Sequence, residues 1–387
     1  MTVDIFNVGH GEAIQINMEN INQRIIRDLG RSKNAQNTST SITLPLLTRL
    51  LPVLYNQDKP TDAVLSHAHE DHFNGFKELY DNGARKIFEN GYIPILRMQD
   101  LQQLGGVLIK ISILIYRYYS PNSQYAKNAG HWLLATPIMA ALSKKLWCVQ
   151  QGHQVQHWVQ PNKFLWPVSS ITDHTLKELW NEFLLENDLP ENFLEEFADE
   201  IRQILSQFHE PTDQTLNNID GVGTEFNTDE IEEIINNIVD ILNRVQLPNL
   251  SIPPMKLYAK AYRTYDNHSL VFELGDKEHD VLFLSDADDS MVNRMLSLNG
   301  ITNHSYKLIK AGHHGNKGAK PLFGEKITSD IAISCCGPAH PNWKGPDIAY
   351  QKISKKLHCT DWNNHGKKWK NKASFTILKN TVTTYSV

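Results

Sequence analysis

Cysteine is nearly absent: only Cys148, Cys335, Cys336 and Cys359 occur in 387 residues. Cys335 and Cys336 are adjacent, a poor geometry for a bond to each other, and no CxxC spacing occurs. A disulfide framework and a thiolate zinc site are therefore excluded from the reading, and reduced core cysteines in a cytoplasmic protein are expected. Long apolar runs are missing too. The most apolar stretch, Val107 to Tyr116, is too short for a bilayer and carries Lys110. It predicts a buried helix or strand and no membrane association. The amino terminus lacks a basic region followed by an apolar one, so no signal peptide is expected. There is no internal repeat and no low-complexity tract.

What remains is an ordinary globular composition, 41% hydrophobic and 21% charged, with a net charge of −5. That small number hides an uneven distribution. Between Asp173 and Arg244 there are 19 acidic residues against Lys177, Arg202 and Arg244. Between His304 and Lys372 the sign reverses, with 13 lysines, no arginine and four acids.

Hydrophobic periodicity divides the chain into three parts. Residues 1–92 alternate in the manner of strands at Thr2 to Asn7, Glu12 to Met18 and Arg24 to Asp28. Ile42 to Tyr55 has a helical pattern interrupted by Pro45 and Pro52, and Asp62 to Ser66 is an apolar strand. Residues 93–255 form a largely helical acidic segment. Its clearest stripes are Leu176-Leu179-Trp180-Phe183-Leu184, Phe193-Leu194-Phe197-Ile201-Ile204-Leu205 and Ile231-Ile234-Ile235-Ile238-Ile241-Leu242. Polar residues between Pro211 and Thr228 read as a connector. Residues 256–387 return to strands, at Ser269 to Leu274, Val281 to Ser285, Tyr306 to Lys310 and Asp330 to Ser334. Ser374 to Leu378 and Val382 to Tyr385 read as a closing hairpin.

The sharpest local signal follows the strand at 62–66. Ser66-His67-Ala68-His69-Glu70-Asp71-His72 places three imidazoles and a carboxylate in an HxHxDH spacing. These are the ligand types a zinc-like cation takes in water. In an extended loop His67 and His69 project to one side and can share one metal, while Asp71 and His72 can reach a second. Gly75 follows the loop. Completing two metal sites requires ligands further along the chain. Asp286 ends the apolar strand Val281-Leu-Phe-Leu-Ser, and His313 and His314 follow Tyr306-Lys-Leu-Ile-Lys in Ala311-Gly-His-His-Gly315.

This order of motifs resembles that of the metallo-β-lactamase superfamily. More narrowly, the chain is similar to the soluble hydrolase domain of ComEC-type DNA-uptake proteins. Asn7-Val-Gly-His-Gly-Glu-Ala-Ile, Arg27-Asp-Leu-Gly30 and His67 to His72 carry the likeness in the first third. Asn267-His-Ser-Leu-Val-Phe, Leu284-Ser-Asp286, Lys310-Ala-Gly-His-His-Gly315 and Ile333-Ser-Cys-Cys-Gly-Pro carry it in the last. It covers both ends, about 240 residues, with the acidic middle as an insertion.

The resemblance implies an α/β fold, a four-layered αβ/βα sandwich with the metals at one edge between two sheets. It implies two divalent cations, zinc foremost with manganese or iron also compatible. His67 and His69 would hold metal one, Asp71 and His72 metal two, and Asp286 would reach both. His314 or His313 would complete metal two, with His314 preferred, and Asp28 would buttress the ligand loop. Many superfamily members carry a further histidine four residues before the serine matched by Ser269. Here that position is Tyr265, which leaves metal one short of a ligand unless His268 substitutes. His10 and Glu12 stand where the subgroup has glutamine and aspartate.

The expected function is a hydrolase. Two cations sharing a water supply hydroxide at neutral pH, with Asp71 and Asp286 orienting it. His313, His340 and Lys310 are candidates to assist the leaving group. A phosphodiester substrate, nucleic acid foremost, is expected from the subgroup and from the lysine-rich segment, in which Trp343, Trp362 and Trp369 could stack on bases. Two alternatives stand beside it. One is a small ester, thioester, lactone or phosphocholine-type substrate, favoured by an apolar closed pocket. The other is a role within a multi-protein assembly, antiviral systems included, with the acidic helices as a docking surface, a lid or a phosphate mimic.

Overall fold

The computed structural model describes residues 1–6, 8, 10–18, 22–30, 59–94, 106–158, 161–166, 174–208, 225–275, 281–336, 346–360, 376–377 and 382–387. The expected helix at Ile42 to Tyr55, the connector between Pro211 and Thr228 for the most part, and His340, Trp343, Trp362 and Trp369 lie outside them.

The fold is mixed α/β, built on two sheets. The first holds β1 (Thr2–Phe6), β2 (Ala13–Met18), β3 (Gln23–Leu29), β4 (Thr61–Val64), β5 (Phe88–Pro94), β6 (Ser143–Val149) and β14 (Val382–Ser386), in the order β14-β1-β2-β3-β4-β5-β6. The second holds β7 (Asn162–Trp166), β8 (Val271–Leu274), β9 (Val281–Phe283), β10 (Ser305–Lys310), β11 (Thr328–Ser334), β12 (Ser354–Cys359) and β13 (Thr376–Ile377), in the order β13-β12-β11-β10-β9-β8-β7. In each, one end is antiparallel and β3 to β6, or β9 to β13, run parallel.

Alternation along the strands decides which faces meet. Val3, Ile5, Ile14, Ile16 and Ile25 of the first sheet share one buried cluster with Phe272, Phe283, Leu308 and Ile333 of the second. Ile26, one residue out of phase, points the other way into a helical cluster, and the break in register at the left-handed Asp28 turns Leu29 to that side as well. On the outer side of the second sheet Leu282, Ile309 and Ala332 pack on α8 (Asp289–Ser297), α9 (Ala319–Gly324) and α10 (Ile348–Ile353) through Met291, Leu322 and Tyr350.

The helical cluster is contributed by α1 (Glu70–Asp81), α2 (Gly106–Tyr118), α3 (Gln124–Leu142), α4 (His174–Glu186), α5 (Glu195–Ser206), α6 (Thr228–Arg244) and α7 (Met255–Asp266). Val107 to Tyr116 thus belongs to a helix, buried on nearly every side; Lys110 meets Glu195 of α5 at its edge. The three apolar stripes of the acidic segment form α4, α5 and α6 as their spacing predicts, and their buried residues join the same core as α2 and α3. Two elements of residues 93–255 do not fit a helical insertion. β6 closes the edge of the first sheet and β7 that of the second, so part of the middle segment completes the sandwich. Charged Lys144 and Lys145 and the short length of β7 hide these strands from a periodicity reading. The closing hairpin is also corrected. β13 pairs with β12 in one sheet and β14 with β1 in the other; Tyr385 of β14 joins the inter-sheet core.

Candidate metal centre

Parallel strands leave their carboxyl ends along one edge, and loops from that edge carry the candidate ligands. β4 leads into Ser66 and the histidine cluster, β9 into Ser285 and Asp286, and β10 into His313 and His314. The backbone N–H of Leu270 donates to the carbonyl of Ser66 at 2.9 Å, tying the first loop to the segment before β8, and that of His313 donates to Ser285 at 2.9 Å, tying the other two to each other. Gly30 permits the closest approach: a Cβ there would lie 2.3 Å from the backbone of Asp71 and of His72. Asp28, Ser285, His313 and His314 all hold left-handed backbone conformations. Non-glycine residues adopt these at a cost, and they concentrate where loops are held for function.

His67, His69, Asp71, His72, Asp286 and His314 are all buried. Two groups emerge around them. In the first, His67 Nε2 and His69 Nδ1 are 3.0 Å apart, and Asp266 Oδ1 lies 3.0 Å from His69 Nδ1 and 3.6 Å from His67 Nε2. Ligand atoms at the corners of a tetrahedron with bonds of about 2.0–2.1 Å are separated by about 3.3 Å, so these three donors are spaced for one cation. In the second, His314 Nε2 lies 2.9 Å from Asp71 Oδ2 and 3.7 Å from Asp286 Oδ2, and His72 Nε2 lies 3.3 Å from Asp286 Oδ1. The Asp286 carboxylate also stands 3.9 Å from His67 Nε2, between the two groups. His72 Nε2, Asp266 Oδ1, Asp286 Oδ1 and His313 Nδ1 are buried and fall short of hydrogen-bond geometry with any described group. Buried polar atoms normally have a partner, and an ion is one that this gathering could accommodate. These His, Asp and Glu groups could hold a metal ion, and Glu12 approaches the second one closely enough to be counted with it.

The histidines are aimed by neighbours. Asp28 accepts from the Ser66 backbone N–H at 2.7 Å and faces His72 Nδ1 at 3.0 Å, the buttressing role expected for it. His314 Nδ1 meets the Cys335 carbonyl at 2.8 Å, which leaves Nε2 for the site. His313 lies 3.8 Å from Asp286 and 3.9 Å from Asp266 and is partly exposed to the cavity. The two adjacent histidines therefore face different groups, His314 the one with Asp71 and His313 the one with Asp266 and Asp286.

Charge within the cluster is uneven. Burial pushes the His67 imidazole well below its ordinary value, and His72 and His69 push it further. His72 goes the other way: burial opposes protonation, but Asp286 and Asp28 together raise it well above the ordinary value. Burial would raise the Asp71 carboxyl, yet contact with His314 and the nearby charges of His314, His72 and His10 hold it well below the usual range. Asp286 is likewise held down against burial by His314, His72 and His313. Both carboxylates are thus poised as anions.

Two sequence expectations change here, and one residue is added. Lys310 is fully buried; its ammonium contacts Glu12 and donates to the Ser285 carbonyl at 3.0 Å, so it cannot serve a leaving group in the cavity. It belongs to a buried ionic joint: Arg27 meets Glu12 at 2.6 Å and Asp28 at 3.3 Å, with its guanidinium carbon 5.2 Å from the Phe283 ring centre. His268 faces the Thr264 carbonyl at 2.6 Å and is in none of the ligand groups. Asp266, which the sequence reading passed over, takes the place considered for it. The signal available was an acid three residues before Ser269. Only the end of α7, followed by turns from His268 N–H to Tyr265 and Ser269 N–H to Asp266, shows that it faces His69.

The site opens into a cavity of about 610 Å³. Helices α3 and α7 supply one wall, with Gln124, Tyr125, Asn128, Tyr258, Tyr262 and Arg263; Asn316 and Lys317 supply the other. Tyr262 stacks on His69 with ring centres 3.6 Å apart. Burial and the carboxylates of Asp71 and Asp266 raise its phenol well above the ordinary value, keeping it a hydrogen-bond donor. Compared with known proteins, the sequence matches no family model and no curated protein.

Proposed function

We propose that the protein is a metal-dependent hydrolase of the metallo-β-lactamase type that cleaves phosphodiesters, with nucleic acid as the foremost substrate. One observation carries the reading: the buried group His67-His69-Asp266 and a second set around His314, which is gathered with His72 and Glu12 and with Asp71 and His10, flank the carboxylate of Asp286 at the mouth of a polar cavity. Two divalent cations held there, zinc or manganese by the donor types, would polarise a scissile bond and make hydroxide available near neutral pH. The chain's own contribution is placement. Asp28 and the Cys335 carbonyl fix two imidazoles, while Asp71 and Asp286 remain anionic. Arg263 and Lys317 bring positive charge to the rim, where a phosphate would be drawn. Tyr125, Tyr258 and Tyr262 offer aromatic surface to a base or sugar. His313 is the described histidine best placed to assist a leaving group.

The small ester, thioester, lactone or phosphocholine-type alternative is tied to an apolar closed pocket, and a polar wall of Gln124, Asn128, Arg263 and Asn316 favours the phosphodiester instead. The supporting charge is narrower than the sequence suggested. Of the described lysines in the basic segment only Lys317 lines the cavity, whereas Lys307 and Lys355 pair with Asp330. The acidic helices α4 to α6 contribute no lining residue, which argues against a lid or a phosphate mimic. Their acids partly engage the body, as Glu232 does with Arg85 and Glu182 with Lys256. The test is elemental analysis followed by a panel of single-stranded and duplex DNA, RNA, cyclic dinucleotides and chromogenic esters. About two metal equivalents with phosphodiester cleavage supports the proposal. Metal without cleavage of any phosphodiester refutes it.

A further inference from the structure

The cysteines that looked unpaired in the sequence include a close pair. Cys336 follows the end of β11 and Cys359 ends the neighbouring β12, and their Sγ atoms are 2.6 Å apart. A disulfide bond is about 2.05 Å, so bonding requires a shift of about half an ångström. The surroundings hold the two sulfurs there. Thr360 N–H donates to the Ser334 carbonyl at 3.1 Å, Cys336 N–H to Thr360 Oγ1 at 2.9 Å, and Thr360 Oγ1 to the Cys336 carbonyl at 3.0 Å. These bonds clamp the two strand ends into a register that leaves the thiols facing each other. Cys148 is distant, its thiol directed at the Phe208 carbonyl, and Cys335 points into the inter-sheet core.

We propose that Cys336 and Cys359 are a modification site, a dithiol that closes to a disulfide on exchange with a small-molecule disulfide such as oxidised glutathione. One cysteine thiolate attacks the reagent's S–S bond, releasing one thiol and forming a mixed disulfide. The second thiolate then displaces the other reagent sulfur. Two protein thiols are oxidised, one reagent disulfide is reduced to two thiols, and the two protons leave with them. Both cysteines are fully buried, so oxidation and reduction alike proceed through opening of the strand ends. The position gives the bond a consequence. The Cys335 carbonyl aims His314, and Ser334 Oγ donates to the His314 carbonyl at 2.6 Å, so the bridge would lock the segment that holds this imidazole.

The experiment is peptide mapping by mass spectrometry after the full-length protein is equilibrated with oxidised glutathione, with a parallel thiol count and thermal melt. The expected product is a Cys336–Cys359 cross-linked peptide pair two hydrogens lighter, with the count falling from four thiols to two. Because the bridge closes a loop of 23 residues, Tm should rise by about 4 °C and return on reduction. Cys359→Ser should abolish both effects. If that variant does not fold, a Cys148→Ser/Cys335→Ser double variant, which keeps only the pair, must still form the bridge. Four retained thiols at equilibrium, only mixed disulfides with glutathione, or a cross-link involving Cys335 instead would overturn the proposal.

Discussion

Asp28→Asn isolates the contribution of one carboxylate to the candidate metal centre. Asp28 is fully buried, sits at φ +51° and serves both the Ser66 N–H and His72 Nδ1. Asparagine is nearly isosteric and tolerates left-handed backbone, so the substitution removes charge without adding strain. One amide oxygen can still accept from Ser66, but the amide nitrogen then faces a ring nitrogen that should be donating. Losing such an orienting partner costs about 10–100-fold in metal affinity, which is about 1.4–2.7 kcal/mol. Arg27 keeps Glu12 as a partner at 2.6 Å, so the inter-sheet joint should survive. The assay is competition against a chromophoric chelator, with melts of metal-free and metal-loaded protein. Stabilisation by bound metal falls with the logarithm of affinity, so the metal-dependent rise in Tm should shrink by about 2–3 °C for a chain of this size. Unchanged affinity in a folded variant would refute the argument that Asp28 aims the ligand loop.

Other expectations follow from neighbouring residues. Asp266→Ala should lower bound metal from about two equivalents towards one while Asp71→Ala removes the other, read by elemental analysis; equal retention in both would detach Asp266 from the site. Gly30→Ala places a methyl group within 2.3 Å of ligand-helix backbone and should abolish metal binding even where circular dichroism shows a folded chain. Lys310→Met leaves the buried Glu12 with Arg27 alone and should destabilise by about 3 kcal/mol in denaturant melts; a loss below about 1 kcal/mol would show the joint to be dispensable. Under the phosphodiesterase reading, Arg263→Ala and Lys317→Ala should each lower kcat/KM on DNA by about tenfold and weaken its salt dependence, with chromogenic ester turnover unchanged.

The acidic helices show how far patterning reaches. Their stripes are legible because a 3.6-residue period survives any charge on the opposite face, so α4, α5 and α6 fall where expected. Their apolar faces are nevertheless part of the main core, since Leu176, Ile201 and Ile238 share it with α2 and α3. Burial against a distant partner leaves no trace in local period.

The sequence by itself determined the chemistry of the edge: which imidazoles and carboxylates follow apolar strands. His67, His69, Asp71, His72, Asp286 and the pair His313-His314 could be singled out as candidates because strand-end position and ligand type are both local. Asp266, the different facings of His313 and His314, the burial of Lys310 and the meeting of Cys336 with Cys359 were decided by tertiary structure alone. Each depends on a juxtaposition of loops or strand ends that the pairing of strands and packing of helices impose, and a residue's neighbours in the chain carry no record of it.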